Sequence, residues 1–370
     1  MLFIANDDHL LHVQLFQKMA LLLAVAQQQR RVHKPRVFRD RTQPLDYMDD
    51  DELISRYRLP RQCIVHLCDL LAAELQRSTS RSCALPVTTQ ILVALRFYST
   101  GSMQRVAGDL HGISQPSVSR CVHAVSKLLT HKASGYISFP TDDAAQRNNM
   151  DEFYRIANFP NVLGCIDGTQ IQILSPVLNE NIYVCRKGFH SLNVQAICNA
   201  QLEFINIVAK YPGSAHDSFI WHNCAVYHYM EQHTAQHQRW LLGDSGYPLS
   251  SFLMTPIMNA TTPAEMNYNK KHSQTRNTVE RAFGPLKMRF RCLHNTGGCL
   301  QSPPERCAQI ITACAVLHNM CVSNAVPVPD ELDIHQSHDT AVNDSHEVVP
   351  GHNDNSGVEV RRKLIDRFRH

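Results

Sequence analysis

Apolar residues recur at helical spacing in the first third of the chain. The stretch from Asp50 to Thr130 shows this pattern throughout, and it predicts helices alone. The clearest apolar row at helical spacing is Ile64, Leu67, Leu71 and Leu75. A second apolar helix is predicted over Thr88–Tyr98.

Two further predicted helices are joined by a tight turn at His111–Ile113, which contains a glycine. Ser114 is a plausible N-cap of the second helix, and Pro116 suits its first turn. The polar face of this helix includes Gln115, Ser117, Ser119, Arg120 and Lys127. The pattern predicts a helix-turn-helix whose second helix contacts DNA in the major groove. An ordinary helical hairpin that packs on the next domain is the alternative.

After Asn161 the pattern changes to short apolar strands followed by helices. The predicted strands are Val162–Ile166, Thr169–Ile173, Asn193–Cys198, Phe204–Ala209 and Arg239–Leu242. The predicted helices are Asp217–Glu231, Arg276–Arg291, which contains Pro285, and Pro304–Val322. We expect Pro285 to kink or end its helix. This order predicts an α/β fold in which helices pack on a mixed sheet.

These changes of pattern suggest five segments. They are an N-terminal helix and basic linker over 1–50, a helical, helix-turn-helix-like domain over 51–134, a linker over 135–160, an α/β domain over 161–325, and a tail over 326–370. The tail is rich in Asp, His, Asn and Ser, which predicts disorder. Val358–Phe368 is the one part of it expected to form a short basic helix.

Composition narrows the functional class without defining it. The formal net charge of +3 does not by itself establish a nucleic-acid partner. The 13 cysteines include no Cys-x-x-Cys pair, so we expect reduced thiols in the cytosol or nucleus. The apolar run Met19–Ala26 is too short to span a bilayer, so no membrane partner is expected. The basic cluster between Arg30 and Arg41 suits a nuclear import signal, a phosphate-contacting arm or a solvated linker.

Four acidic residues lie on separate predicted elements, three of them where a strand or helix begins or ends. Asp167 follows an apolar strand, Asp217 begins a helix, Asp244 ends a later strand, and Glu280 lies on a helix. A carboxylate beside a buried strand is costly without a partner. Three or four converging carboxylates are what two Mg²⁺ ions about 3.5–4 Å apart require for phosphodiester chemistry. The four acids therefore indicate a divalent-metal site.

Each of three acids also has a structural alternative. Asp217 can cap its helix, Asp244 can begin a turn, and Glu280 can pair with Arg276 four residues earlier. Neither a cap nor a turn explains the apolar strand that leads into Asp167. A zinc site of Cys314, His318 and Cys321 on one helical face is a weaker hypothesis, because free cysteines are usually buried small hydrophobic residues.

Five motifs in order resemble those of the PIF/Harbinger transposases and their domesticated nuclease members. They are Ile166-Asp167-Gly168-Thr169, Tyr211-Pro212-Gly213-Ser214-Ala215-His216-Asp217-Ser218, Leu242-Gly243-Asp244-Ser245-Gly246-Tyr247-Pro248, Val279-Glu280-Arg281-Ala282-Phe283-Gly284 and Val316-Leu317-His318-Asn319. The resemblance spans roughly Asp50 to Asn324.

The resemblance implies a ribonuclease H-like DDE catalytic domain that holds Mg²⁺ or Mn²⁺. Asp167, Asp244 and Glu280 suit the triad places, while Asp217 is a fourth ligand or an equally good second acid. Several basic residues near these motifs suit contacts with a DNA backbone: Arg186, Lys187, Lys210, Arg276, Arg281, Lys287, Arg289 and Arg291. Among them, Arg281 and Lys287 are the predicted DNA-binding residues. The family also implies a Myb-like DNA-binding partner for nuclear import and a distribution between nucleus and cytoplasm.

Three functions follow from these observations. The first is a metal-dependent nuclease of transposase descent that cleaves DNA by two-metal hydrolysis. The second is a domesticated DNA- or chromatin-binding protein that has lost catalysis, and the third is an active transposase of a mobile element. The intact acids favour the first function over the second.

Overall fold

The computed structural model describes residues 18–19, 43–77, 84–233, 238–329 and 355–368. The chain divides after Asp40, and the described residues from 43 onward belong to the second unit, Arg41–His370, which is compact. The basic cluster between Arg30 and Arg41 and most of the predicted N-terminal helix lie outside the described residues. The sheet and the helices that surround it belong to the second unit.

A mixed sheet carries the site. Its strands are β1 (Val162–Gln172), β2 (Ser191–Cys198), β3 (Phe204–Pro212), β4 (Trp240–Leu242) and β5 (Leu253–Met254), in the spatial order β3-β2-β1-β4-β5. The pairs β1–β2 and β2–β3 are antiparallel, whereas β1–β4 and β4–β5 are parallel. The expected α/β architecture with a mixed sheet is confirmed.

Helices precede, flank and follow this sheet. They are α1 (Pro44–Tyr47), α2 (Asp50–Tyr57), α3 (Arg61–Leu75), α4 (Val87–Thr100), α5 (Gln104–Leu110), α6 (Gln115–His131), α7 (Asp143–Ala157), α8 (Asp217–His222), α9 (Ala225–His233), α10 (Pro263–Arg289), α11 (Pro304–Ser323) and α12 (Asn355–Arg367). None of the helices in the described ranges is long and apolar enough to cross a membrane.

Several elements differ from the sequence predictions. β1 is one continuous strand because Asp167 and Gly168 keep their antiparallel partners on β2, whereas two strands were predicted. The predicted linker contains α7, and the predicted helix after Asp217 is divided into α8 and α9. α10 begins at Pro263, where a Thr262 capping box closes its first turn, and it continues through Pro285 to Arg289. The helix therefore does not end at Pro285, which was one of the two outcomes expected there, and the kink stays a prediction.

Two apolar clusters cover the two faces of the sheet. Val162 and Cys165 of β1 belong to a large cluster that also contains buried residues of α2–α6, α10 and α11. Leu163 and Ile166 belong to a smaller cluster around Trp221. Neighbouring residues of a strand face opposite sides, and a register shift between Val162 and Gly164 explains why Val162 and Cys165, three residues apart, share a face. The division of this unit into a helical domain and a catalytic domain stays a prediction.

The tail supplies one described helix. α12 covers the stretch predicted to form a short basic helix, and its Leu364 is buried. Phe368 follows the helix and is also buried, with its backbone oxygen accepting a hydrogen bond from Asn267 Nδ2 at 3.1 Å. These contacts attach the helix to α10.

His318 is buried between two fixed partners. Its Nε2 contacts the Leu202 carbonyl oxygen at 2.9 Å, and its Nδ1 faces Arg289 Nη1 at 3.3 Å. A neutral ring that donates through Nε2 and accepts at Nδ1 satisfies both contacts. Burial, together with the positive charge of Arg289, lowers the pKa of His318 from 6.5 to about 4.

We expect acid to destabilise the fold partly through His318. The unfolded chain takes up this proton near pH 6.5 and the folded chain only near pH 4, so stability falls as the pH falls between these values. Between pH 7.5 and 5 the free energy of unfolding should fall by roughly 1–2 kcal/mol less in His318→Gln than in the wild type. Denaturant titrations at both pH values measure this difference. His228→Gln, at an exposed histidine, is the control and should show the same pH dependence as the wild type. A wild-type pH dependence in His318→Gln would contradict the prediction.

Candidate active site

The parallel register of β1 and β4 brings two of the acids side by side. Cys165 lies opposite Leu242, the last residue of β4. Asp167 and Asp244 are each two residues further along their chains. Because parallel strands run in the same direction, Asp167 and Asp244 lie near each other where β4 ends, while β1 continues past Asp167 along β2.

Asp167 is a largely buried carboxylate with two donors. Arg276 Nη1 lies 3.1 Å from its Oδ2, and the Gly168 backbone N–H donates to its Oδ1 at 2.8 Å. Burial raises the pKa of Asp167 from 3.8 to about 7, and the negative charge of Asp244 adds to the rise, while Arg276 opposes it. The site therefore holds acidic groups whose charges repel each other.

Glu280 reaches this group through Arg276. The Arg276 guanidinium forms a second, short contact with Glu280 Oε1 one helical turn later. The predicted pairing of Glu280 with Arg276 is therefore present. The Arg276 side chain is 18% exposed and that of Glu280 is 51% exposed, so the arginine lies between the buried acid and the half-exposed one.

Asp217 approaches β1 from the other face of the sheet. It is the first residue of α8, and its Oδ1 accepts a hydrogen bond at 2.8 Å from Nδ2 of Asn193 on β2. A Cβ atom at Gly168 would lie 2.6 Å from Asp217 Oδ1. The glycine is therefore needed at this position, because any side chain would collide with the carboxylate.

Asp244 also has the turn role that the sequence allows. Its Oδ1 accepts a hydrogen bond from the Gly246 backbone N–H at 3.0 Å. The next residue, Tyr247, is buried, and its hydroxyl lies 3.4 Å from Gln195 Oε1. Burial raises the pKa of Tyr247 well above its ordinary value, and the charges of Asp217, Asp167 and Asp244 contribute to the rise. The tyrosine ring is thus close to three of the four acids.

A cleft of about 750 Å³ opens beside these residues. Gly168, Asn193 and Asp217 line it on the sheet side. Its basic lining residues are Arg186, Lys187, His216, Lys287, His294 and Arg361. Asp217 is the one acid among the described lining residues, and the cations on the other walls suit a phosphate backbone.

The predicted DNA contacts lie in three settings. Lys287 lines the cleft, whereas Arg281 is exposed on α10 outside the cleft lining. On α6, Gln115, Arg120 and Lys127 are exposed. Ser117 and Ser119 on the same helix are half-buried, and Ser117 Oγ accepts a hydrogen bond from Arg120 at 3.1 Å.

The carboxylates suit a hard divalent cation, which prefers oxygen ligands and would offset their repulsion. In the described part of the chain, however, no three acidic, histidine or cysteine side chains are placed to hold a metal ion together. Arg276 occupies the position between Asp167 and Glu280. The carboxylate oxygens fit a divalent metal. Arg276 must release Glu280 before Glu280 can contact a metal ion that is bound at Asp167.

Two weaker sequence hypotheses are not supported by the side-chain contacts. Cys314 Sγ contacts Cys292 Sγ at 3.9 Å, and Cys321 Sγ contacts the Arg58 carbonyl oxygen at 3.3 Å. Because His318 is held by Leu202 and Arg289, the predicted zinc ligands are turned to different neighbours. Arg289, suggested as a DNA contact, is 3% exposed and is held by the Val326 carbonyl oxygen at 2.7 Å.

Two residues of the site were missed by the sequence analysis. Asn193 lies inside an apolar strand pattern, and a polar residue there was the available signal. Arg361 lies on α12, separated by a polar stretch from the motifs, and the sequence contains no signal that this helix reaches the cleft. Tertiary packing alone places both residues.

The mixed sheet and the acids beside β1 are consistent with the class of DDE endonucleases. The family model described as DDE superfamily endonuclease matches residues 166–319. The mouse protein named "Putative nuclease HARBI1" is 42% identical over 294 residues, which cover 78% of this chain and 84% of the relative. The chain therefore belongs to the HARBI1 family of Harbinger transposase-derived nucleases.

Other relatives extend this similarity. The HARBI1 protein of Xenopus laevis is 40% identical over 288 residues, covering 78% of this chain and 82% of the relative. The Arabidopsis thaliana protein named "Antagonist of like heterochromatin protein 1" is 24% identical over 280 residues, covering 71% of this chain and 69% of the relative. No solved structure matches the chain.

Proposed function

We propose that this chain is a divalent-metal-dependent endonuclease that hydrolyses DNA phosphodiester bonds with two metal ions. The observation that carries the proposal is the proximity of Asp167 and Asp244, each two residues beyond the last paired residues of the parallel strands β1 and β4, together with the contribution of Asp244 to the raised pKa of Asp167. Membership in a family of DDE endonucleases supports the same conclusion.

Asp167, Asp244, Glu280 and Asp217 are the proposed metal ligands and catalytic acids. Mg²⁺ or Mn²⁺ bound there would activate water and stabilise the leaving 3′-oxygen. Asp167 is the central ligand, because its carboxylate is influenced by both Asp244 and Asp217. Asp244 is the second triad acid in this proposal, and Asp217 acts from the opposite face. Glu280 completes the triad when Arg276 turns away from it.

The cleft binds the DNA backbone in this proposal. Lys287 and Arg186 line it together with the acid Asp217. Their charges would hold the phosphates while the acids position the scissile bond. The predicted helix-turn-helix, which covers α5 and α6, would add a second DNA contact through the exposed side chains of α6.

A catalytically silent DNA- or chromatin-binding protein is the second candidate. The observation that favours it is the ion pair between Arg276 and Glu280, which holds the third triad acid away from a shared metal site. A relative whose name refers to a heterochromatin protein is consistent with it. An active transposase would use the same acids and differs in joining DNA ends to a target.

The purified full chain is expected to nick supercoiled plasmid DNA in Mg²⁺ or Mn²⁺. Asp167→Asn and Asp244→Asn should each reduce nicking by more than about 100-fold, because losing a ligand costs more than losing an outer-shell partner. Gel assays of nicked plasmid measure this loss. Exposed Asp69→Asn, the same chemical change on α3, should nick like the wild type.

Three other outcomes of this assay are informative. Wild-type protein that binds DNA without nicking it would favour the silent binding protein. Nicking that survives both substitutions would exclude this site as the catalytic centre. Joined products formed with donor ends would indicate a transposase.

Arg120→Ala and Lys127→Ala are each expected to weaken DNA binding and to make its salt dependence shallower. The slope of log K against log salt should fall by about 0.9 for each phosphate that the variant no longer binds. Fluorescence anisotropy with a labelled duplex at several salt concentrations measures the slope. Arg147→Ala on α7 removes the same charge from an exposed site, and an equal effect there would exclude a specific role for α6.

We also propose, from the family resemblance alone, a Myb-like partner that carries the chain from cytoplasm to nucleus. Deleting residues 30–41 should then leave nuclear localisation intact when that partner is co-expressed. Imaging of the tagged chain with and without the partner measures this. Nuclear entry that depends strictly on residues 30–41 would contradict the partner-based route.

A further inference from the structure

Asn193 is a buried amide in the wall of the cleft beside Asp217. It lies on β2 opposite Gln170 of β1 and is 4% exposed. Its two neighbours along the strand, Leu192 and Val194, belong to the large apolar cluster on the other side of the sheet. A polar side chain buried at this position requires partners for each of its polar atoms.

Both amide hydrogens of Asn193 have acceptors. Nδ2 donates to the Ala215 carbonyl oxygen at 2.8 Å and to Asp217 Oδ1 at 2.8 Å. A carbonyl and a carboxylate can only accept here, so a rotated amide would set oxygen against oxygen. The orientation of the side chain is therefore determined by its neighbours.

The amide oxygen is left without a partner. Asn193 Oδ1 is inaccessible to solvent and has no hydrogen bond. Leaving such an acceptor unsatisfied costs about 1–3 kcal/mol, which is more than a typical hydrogen bond contributes.

The unpartnered oxygen and the carboxylate of Asp217 face the same space. A Cβ atom at Gly168 would lie 3.2 Å from Asn193 Oδ1 and 2.6 Å from Asp217 Oδ1. The absence of a side chain at Gly168 keeps this space open next to Asp167. Two oxygen atoms, one charged and one neutral, therefore border a small cradle on β1.

We propose that Asn193 Oδ1 is an additional oxygen ligand of the metal centre and acts with Asp217 at the cradle beside Gly168. The inference rests on the proposed metal-dependent function and deepens it. Amide oxygens are accepted ligands of hard divalent cations. Asn193 would then have two tasks, since its Nδ2 orients Asp217 while its Oδ1 binds the cation.

The test measures Mn²⁺ binding to the metal-free full chain by electron paramagnetic resonance of the free ion. Asn193→Leu removes the oxygen ligand and should weaken Mn²⁺ binding by about 10–100-fold. Asn193→Asp keeps an oxygen and adds a charge. Its second oxygen replaces the Nδ2 donor and faces Asp217, and bound Mn²⁺ would offset that repulsion, so the variant should bind Mn²⁺ as tightly as the wild type or more tightly. Circular dichroism melts show which variants are folded.

Asn206→Leu is the matched control. Asn206 on β3 also has a buried, unpartnered Oδ1, but it lies opposite Ile197 rather than beside the acids. The control variant should bind Mn²⁺ like the wild type. An equal loss in Asn206→Leu and Asn193→Leu would overturn the proposal.

Two further results would overturn it. If Asn193→Leu binds Mn²⁺ like the wild type, the oxygen is not a ligand. If Asn193→Asp loses as much affinity as Asn193→Leu, the residue serves only to hold Asp217 through its Nδ2. Asn193→Asp alone decides the question when Asn193→Leu does not fold.

Asp167→Ala separates this inference from the proposed function. If Asp167→Ala loses Mn²⁺ binding while Asn193→Leu binds Mn²⁺ normally, the metal centre is supported and Asn193 is not one of its ligands. Unchanged binding in both variants would reject the metal centre itself.

Discussion

A buried carboxylate beside a second carboxylate is the constraint on which this site depends. The parallel pairing of β1 and β4, which ends at Cys165 and Leu242, brings Asp167 close to Asp244, and the charge of Asp244 contributes to the raised pKa of Asp167. Arg276 contacts Asp167 from α10 and offsets part of the repulsion. The sheet thus stabilises an arrangement of charge that the side chains alone would avoid.

The alternation of β1 distributes the site over both faces of the sheet. Cys165 and Asp167 face α10, and Cys165 Sγ contacts the Thr275 carbonyl oxygen at 3.3 Å. Gly168 opens the opposite face to Asp217, which arrives at the start of α8. β1 therefore borders polar side chains on both faces of the sheet. Asp167 lies on the face of α10, and Gly168 leaves room for Asp217 on the opposite face.

The contacts of Arg276 distinguish the catalytic function from the silent DNA-binding function. Its guanidinium contacts both Asp167 and Glu280, so a single side chain separates the buried pair of aspartates from the acid on α10. The family membership makes a nuclease the expected function of such a site. Whether turnover follows depends on how easily Arg276 exchanges its carboxylate partners for a cation.

The sequence alone predicted the class of fold, because apolar periodicity is a local feature. The motifs around Asp167, Asp217, Asp244 and Glu280 are also local, and the role of these acids as metal ligands stays a prediction. The sequence also predicted the short basic helix near the end of the chain. It did not predict that β1 continues past Asp167, because a glycine after a carboxylate is typical of a turn. Nor did it predict that α10 begins at Pro263 and passes through Pro285.

Tertiary structure alone decided the neighbours of each acid. The register of β1 against β4 gives Asp167 its partner Asp244, and the pairing of β1 with β2 places Asn193 beside Asp217. Arg361 reaches the cleft because α12 packs on α10. Periodicity shows which face a side chain occupies, but the residue opposite it is set by long-range pairing, which no local pattern contains.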